Sequence, residues 1–271
     1  MQTNRLSGLT GAAFFLLAAL CGCSKAQTGA PAIEPEPTNT LNRSNMYDTL
    51  GPSNYYEIST RLGRMVVRLD DKTPEHRDNF ARLVNEGFYD GTSFHRVIAN
   101  FMIQGGDPNS KNDDPMDDGS GGPGYTLPAE LKSGLFHKRG ALAAARQGDS
   151  VNPTRASSGS QFYIVLGSAP LDTTTLDQIE RSLRTQIPDP AFTFPDSARA
   201  VYMSGGGAPH LDGSYTVFGE VVEGFDVLDA IGSAQTTRSS GEPTHPALLD
   251  QPMEKIVMHV RRLEAYSPAD Q

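Results

Sequence analysis

Residues 93–107, SFHRVIANFMIQGGD, contain the pattern that decides the fold, and they place a charge where a strand would bury it. Successive side chains of a strand alternate between two faces, so Phe94, Arg96 and Ile98 are expected to share one face. The guanidinium of Arg96 cannot lose its charge, and its burial without partners is costly. Two interpretations are open: this face is exposed to solvent, or Arg96 lines a groove where its charge is needed.

The composition is that of an ordinary globular protein. The chain has 271 residues, which suits one large domain or two small ones. Its formal net charge is −9 and no cluster of Lys and Arg stands out, which argues against nucleic acid and anionic membrane surfaces as partners. We find no internal repeat and no linker that would mark a second domain.

The N-terminal region resembles the leader of a bacterial lipoprotein. Residues 9–20, LTGAAFFLLAAL, form an apolar run of signal-peptide length that is too short to span a bilayer. The run LCGC that ends at Cys23 predicts a signal peptide over 1–22 and a lipid on Cys23. A box that ends at Cys21 would place Leu20 where a small residue is wanted. An ordinary secreted protein with a chance pair of cysteines is the alternative.

Both cysteines of the chain, Cys21 and Cys23, lie in this leader. The folded part therefore has none, and it can form no internal disulfide in an oxidising compartment. Residues 23–54 are poor in apolar residues and rich in Pro, Thr and Asn, which predicts a flexible tether. We expect an extracytoplasmic, lipid-anchored protein, on the periplasmic side of the outer membrane if the cell has two membranes.

Residues 55–265 carry regular patterning and are predicted to form one domain, with 266–271 as a C-terminal tail. Alternating residues predict two strands around a turn at Leu62-Gly63. Many short strands with two helices favour an antiparallel barrel or sandwich with helical caps. Further strands are predicted over 93–98, 100–104, 160–166, 215–221 and 254–263.

The helical signals are less uniform. Residues 73–86 predict a helix with Thr73 as its N-cap and Gly87 at its end, and FDVLDAIG (225–232) predicts a second. GALAAA (140–145) has helical propensity, although the order of the elements around it requires a strand.

Residues 167–209 interrupt the succession of strands. They contain apolar residues at helical spacing and are predicted to be a partly helical insertion, a lid or flap with a small apolar face of its own. The residues that define this pattern are Leu176, Ile179, Leu183, Ile187, Ala198, Val201 and Tyr202.

Five segments stand in a fixed order: FHRVIANFMIQGGD (94–107), GSGGPGYTLPAE (119–130), GALAAAR (140–146), GSQFYIVL (159–166) and LDGSYTVFGEV (211–221). Together they resemble the cyclophilins, a family of peptidyl-prolyl isomerases, over roughly 55–265. The resemblance implies a mainly β fold: a closed eight-stranded antiparallel barrel capped by two helices, with a proline-binding groove on its outer surface. The insertion at 167–209 is the chief departure from it.

The resemblance also assigns roles to residues by position. Arg96 is the expected catalytic arginine, and Gln104 is the glutamine beside it. Ala145 and Arg146 are expected to hold the peptide by backbone contacts, and the role of the Arg146 side chain stays open. The residues expected to bind substrate are Phe101, Met102, Ala145, Arg146, Gln161, Tyr163, His210, Leu211 and Tyr215, with Phe162 in the core beside them.

Two positions depart from the family pattern. Tyr215 stands where many members have histidine, and His210 stands where cyclosporin-sensitive members have tryptophan, a residue that this chain lacks. We therefore expect weak cyclosporin binding without a loss of isomerase activity.

Neither a metal nor a cofactor is expected, because bond rotation requires neither. The six histidines are scattered without ligand spacing. The acidic run at 113–118 invites a calcium interpretation, but Met116 and Tyr125 occupy places that need oxygen ligands in an EF-hand loop.

Two functions compete. The first is a monomeric, lipid-anchored isomerase that acts on X-Pro bonds of exported polypeptides. The alternative is a non-catalytic binding module that uses the groove, or the insertion at 167–209, to hold a partner protein at the cell envelope.

Overall fold

The computed structural model describes residues 54–132, 134–167, 169–187, 189–241, 245–264 and 266. The predicted signal peptide over 1–22, the lipid site Cys23, the tether except Asn54, and all of the tail after Tyr266 lie outside these residues.

The strands within the described residues are β1 Tyr55–Thr60, β2 Gly63–Leu69, β3 Arg96–Ile98, β4 Met102–Gly105, β5 Thr126–Leu127, β6 Ala141–Ala144, β7 Ser157–Ser158, β8 Phe162–Val165, β9 Val217–Glu223 and β10 Met258–Arg262. The helices are α1 Pro74–Asn85, α2 Thr173–Gln186, α3 Asp196–Gly205, α4 Phe225–Gly232 and α5 Thr237–Ser240, with short 3-10 helices at Pro108–Lys111, Pro209–Leu211 and Pro246–Leu248.

Eight strands form one curled antiparallel sheet in the order β10-β1-β2-β9-β6-β8-β4-β3, and β5 pairs separately with β7. The prediction of a closed barrel is wrong, because the sheet is an open half-barrel with β3 and β10 as its edges. The loop after α5 occupies the free edge of β3, where Val97 N donates to Asp250 O at 2.7 Å. Before β3, an isolated bridge between Ser93 and Val257 spans the opening.

The inner face of the sheet packs against α1 and α4. Phe80 of α1 lies among four aromatic rings with centroids 5.0–5.9 Å away, those of Tyr56, Tyr89, Phe162 and Phe218. Ile256, Met258 and Val260 are buried in the same core, as the alternation at 254–263 predicts. This core is the main apolar support of the sheet.

Two local predictions have different outcomes. Thr73 occupies the N-cap position of α1 without a side-chain capping bond. Instead, Oε2 of the buried Glu130 accepts a hydrogen bond from His76 N at 3.0 Å and lies 2.7 Å from His76 Nδ1. Residues 141–144 form a strand despite their helical propensity, because β8 and β9 pair with it on both sides.

The prediction of a partly helical insertion is confirmed by α2 and α3. Its small core holds Leu176, Leu183, Phe194, Ala198 and Tyr202. The buried Glu180 carboxylate binds Arg184, Arg199 and Phe194 N within the insertion. In the part of the chain that the structure describes, no helix combines the length and the apolar character that a bilayer crossing requires.

Candidate active site

Arg96 opens β3 and faces away from the main core. Its side chain is 46% exposed, whereas the next residue, Val97, is buried in the core. Nη1 of Arg96 donates to Gln104 Oε1 at 3.3 Å. The charge therefore lies on an accessible surface with a polar partner. Phe94 does not share this face as predicted, because the strand begins only at Arg96 and Phe94 lies in the main core.

A row of cross-strand neighbours connects the arginine with an apolar surface. Arg96 on β3 pairs with Gln104 on β4, and Gln104 pairs with Tyr163 on β8. Tyr163 in turn pairs with Ala143 on β6. Side chains directly opposed on one face of a sheet lie about 4.5–5.5 Å apart at Cβ. The guanidinium, the amide and the phenol ring therefore follow one another across the outer face.

The amide of Gln104 is oriented by a second glutamine. Gln104 Nε2 donates to Gln161 Oε1 at 3.0 Å. Gln161 Nε2 lies within 3.2 Å of acceptors on Asp107, Gly119 and Gly121. Because Gln161 is fixed in this way, Gln104 presents its carbonyl oxygen, the acceptor, to Arg96.

The predicted substrate-binding residues lie together on this outer face. The apolar cluster there contains the buried Met102 and Tyr163, with partly buried residues packed around them. His210 joins the cluster through Phe101, whose ring centroid lies 5.4 Å from that of the imidazole. The partly buried members include Phe101, Ala145, Leu211 and Tyr215. Phe162 lies in the main core instead, as expected.

The side chain of Arg146 supports this cluster from within. It is only 4% exposed, and its guanidinium carbon lies 4.3 Å from the centroid of the Tyr215 ring. Its Nε donates to Ser214 O at 2.8 Å. The arginine therefore fixes Tyr215 and the backbone before it. Ala145 and Arg146 line the neighbouring groove, but Ala145 N donates to Gln161 O and Ala145 O accepts from Ser158 N, so the backbone of Ala145 is already paired within the protein.

A groove of about 730 Å³ continues the site beyond Gln104 and Gln161. Its lining includes many small residues, which suits an extended polypeptide. Residues along it include Gly119, Ser120, Gly121, Gly122, Thr126, Ala145, Arg146, Gln147, Asn152 and Ala156.

Sequence reasoning missed Asp250. Its Oδ2 accepts from Arg96 Nε at 3.4 Å, and its Oδ1 accepts from Arg238 Nε at 2.8 Å. The Asp250 carboxylate thus binds two guanidinium groups, and it constrains the position of the Arg96 side chain. Asp250 is 154 residues from Arg96 in a loop without a motif, so no local pattern indicates the contact.

Sequence reasoning also missed a buried hydrogen-bond chain behind the apolar cluster, formed by Tyr163, His137, Asp212 and Tyr202. Tyr163 OH lies 2.9 Å from His137 Nε2, and His137 Nδ1 lies 2.6 Å from Asp212 Oδ1. Tyr202 OH donates to Asp212 Oδ2 at 2.6 Å. Burial raises the pKa of the Tyr163 phenol well above its usual range, so this hydroxyl keeps its proton.

The pKa values of two other histidines, His210 and His95, are lowered by their surroundings. Burial lowers the pKa of His210 at the rim of the apolar cluster. Burial also lowers the pKa of His95, beside Arg96, to about 4. The His95 imidazole therefore does not favour a positive charge beside the guanidinium of Arg96.

The family model described as cyclophilin type peptidyl-prolyl cis-trans isomerase/CLD matches residues 55–251. A putative peptidyl-prolyl cis-trans isomerase of Staphylococcus saprophyticus is 32% identical over 71% of this chain and 87% of its own length. A putative bifunctional phosphatase/peptidyl-prolyl cis-trans isomerase of Streptococcus pyogenes is 37% identical over 66% of this chain, but the match covers only 34% of that longer protein.

Solved structures share the fold. A cyclophilin type peptidyl-prolyl cis-trans isomerase of Cryptosporidium parvum superposes with a TM-score of 0.53 at 22% identity, over 79% of this chain and 99% of its own. A second crystal structure of that protein, in the presence of the dipeptide Ala-Pro, gives a TM-score of 0.52 at 22% identity over 78% of this chain and 99% of its own.

Proposed function

Because the chain belongs to the cyclophilin-type peptidyl-prolyl cis-trans isomerase family, we propose that its outer face binds a proline-containing polypeptide and that Arg96 accelerates rotation of the X-Pro bond. The observation that carries this proposal is the row Arg96, Gln104 and Tyr163, which places a fixed cation beside an apolar cluster. Catalysis of the rotation needs both parts, because the apolar cluster holds the proline ring and the cation acts on the prolyl nitrogen.

The chemistry follows from the barrier. Rotation about an amide costs about 18–20 kcal/mol, and uncatalysed X-Pro isomerisation takes tens to hundreds of seconds. In the twisted transition state the prolyl nitrogen loses resonance and becomes basic. A guanidinium N–H directed at that nitrogen stabilises the twisted state more than the planar one, which is the requirement for catalysis.

Arg96 has a guanidinium nitrogen available to donate to the prolyl nitrogen. Its Nη1 binds Gln104 and its Nε binds Asp250, and within the described residues its Nη2 makes no hydrogen bond. Phe101, Met102, Tyr163 and Leu211 would hold the pyrrolidine ring while the acyl side rotates, with Gln104 near the moving carbonyl.

The decisive experiment measures the cis-to-trans rate of a short X-Pro peptide with wild type and Arg96→Ala. We expect a loss of about 10²–10³-fold, as for removal of one preorganised donor. Arg61→Ala is the matched control, because Arg61 is also 46% exposed and pairs with Glu254 away from the row. Undiminished catalysis by Arg96→Ala contradicts the role of this arginine. Peptide binding without catalysis by wild type favours the non-catalytic binding module.

We also propose that the enzyme acts on exported polypeptides while anchored by a lipid on Cys23. The apolar run at 9–20 and the LCGC that follows support this localisation. Mass analysis of the mature N-terminus should find acyl chains on Cys23. An unmodified chain that starts elsewhere contradicts the anchor.

A further inference from the structure

We propose that the insertion positions the proline pocket through the buried hydrogen-bond chain, with Tyr202, Asp212 and His137 as positioning residues. This inference rests on the proposed function, because it assigns a role in substrate binding to residues that do not touch the substrate. It gives α2 and α3 a task beyond packing their own small core.

The Asp212 carboxylate is the acceptor at the centre of the chain. A carboxylate only accepts, so His137 donates from Nδ1 to Asp212 Oδ1, and Tyr202 donates to the other oxygen. The other ring nitrogen of His137, Nε2, lies 2.9 Å from the hydroxyl of Tyr163 and completes the chain. His137 N adds a further donor to Asp212 Oδ1 at 3.0 Å. Each group has a partner, and the donors from Tyr202 on one side and His137 on the other converge on the Asp212 carboxylate.

Burial makes the chain responsive to the loss of any member. The exposed fractions are 0% for Tyr202, 1% for His137, and 5% for both Asp212 and Tyr163. Water has little access to these groups, so a vacated hydrogen bond is not readily replaced. Because the ring of Tyr163 belongs to the outer apolar cluster, a change at Tyr202 reaches the pocket wall.

The insertion also supports the rim that carries Leu211 and Tyr215. The side chain of Ile187 packs so closely on Gly213 that an added Cβ there would lie 3.2 Å from Ile187 Cδ1. Gln186 O, at the end of α2, accepts from Arg155 Nη2 at 2.5 Å, and Arg155 Nη1 donates to Gly213 O at 3.2 Å. Gly213, next to Asp212 in the chain, is therefore held by residues at the end of α2.

The test uses Tyr202→Phe, which keeps the ring in the insertion core and removes only the hydroxyl. Affinity for a short X-Pro peptide is measured by calorimetry, and kcat and KM are measured for its isomerisation. We expect Kd and KM to rise about three- to tenfold, with kcat changed less than about twofold, since the pocket wall is displaced while Arg96 is not. Wild-type Kd and KM in Tyr202→Phe overturn the proposal.

Two further variants separate positioning from general stability. Glu180→Gln weakens the insertion through Arg184 and Arg199 without touching Asp212, and it should lower the melting temperature with Kd and KM unchanged. Tyr163→Phe breaks the other end of the chain, so Tyr202→Phe should have little added effect in that background. Independent, multiplicative effects of the two substitutions overturn the proposal, as does a Kd raised equally by Glu180→Gln.

The binding measurement distinguishes this inference from the proposed function. Wild type that binds the peptide without isomerising it contradicts the catalytic role of Arg96, while the variants still test positioning through Kd. Wild type that binds no proline peptide overturns both.

Discussion

Substitution of Asp250 by alanine tests whether the position of Arg96 limits catalysis. The carboxylate oxygen lies 3.4 Å from Arg96 Nε, a long hydrogen bond, and the Arg96 side chain is 46% exposed. Ion pairs exposed to this extent contribute about 0.2–1 kcal/mol, so solvent screening excludes a larger figure. Since Gln104 still holds Nη1, the arginine keeps part of its orientation.

We therefore expect Asp250→Ala to lower kcat/KM for an X-Pro peptide about two- to fivefold, measured in a protease-coupled isomerisation assay. The difference between variant and wild type should shrink at high ionic strength, because salt screens the pair. Arg238→Ala is the matched control: it removes the other partner of the carboxylate and leaves the contact with Arg96. An Asp250→Ala enzyme as active as wild type, or an Arg238→Ala enzyme equally impaired, refutes the reasoning.

Further measurements concern stability. Burial lowers the pKa of His95 from its usual 6.5 to about 4. Between pH 6.5 and pH 4 the unfolded chain therefore binds more protons at this residue than the folded chain does. His95 thus lowers the free energy of unfolding as the pH falls through that range. His95→Asn should reduce that loss in urea titrations; an unchanged pH profile contradicts the assignment. Burial raises the pKa of Asp118 to about 6, so this residue adds to the free energy of unfolding as the pH falls from 6 to 3.8. Asp118→Asn should remove that gain, so its effect on the pH dependence of stability is opposite to that of His95→Asn. Gly224 has φ +87°, and an added Cβ would lie 2.3 Å from Arg64 O. Gly224→Ala should therefore lower the free energy of unfolding by about 1–3 kcal/mol or more. A urea midpoint equal to that of wild type contradicts this.

Local patterns predicted most elements but not the contacts that complete the site. Helix α1 and the last strand follow from apolar spacing, whereas the outer cluster follows from the family resemblance that the five ordered segments carry. The bond between His137 and Asp212 joins residues 75 positions apart, which no local pattern encodes. The resemblance predicts a closed sheet, but the loop that contains Asp250 occupies the edge of β3, so β3 and β10 do not pair. Residues 141–144 show the same effect, since pairing on both sides outweighs helical propensity.

The opening of the sheet and the arrangement of the site have a common cause. Val97 N donates to Asp250 O instead of to a strand, and the same residue turns its carboxylate to Arg96. Had β10 paired with β3, its backbone would occupy the edge from which Asp250 reaches the guanidinium. At the other end of the row, Tyr163 is held by the insertion through His137 and Asp212. The sheet register sets the order of Arg96, Gln104 and Tyr163, and two segments outside the sheet hold the first and the last of them. Variation in these segments can therefore tune the site without disturbing the core.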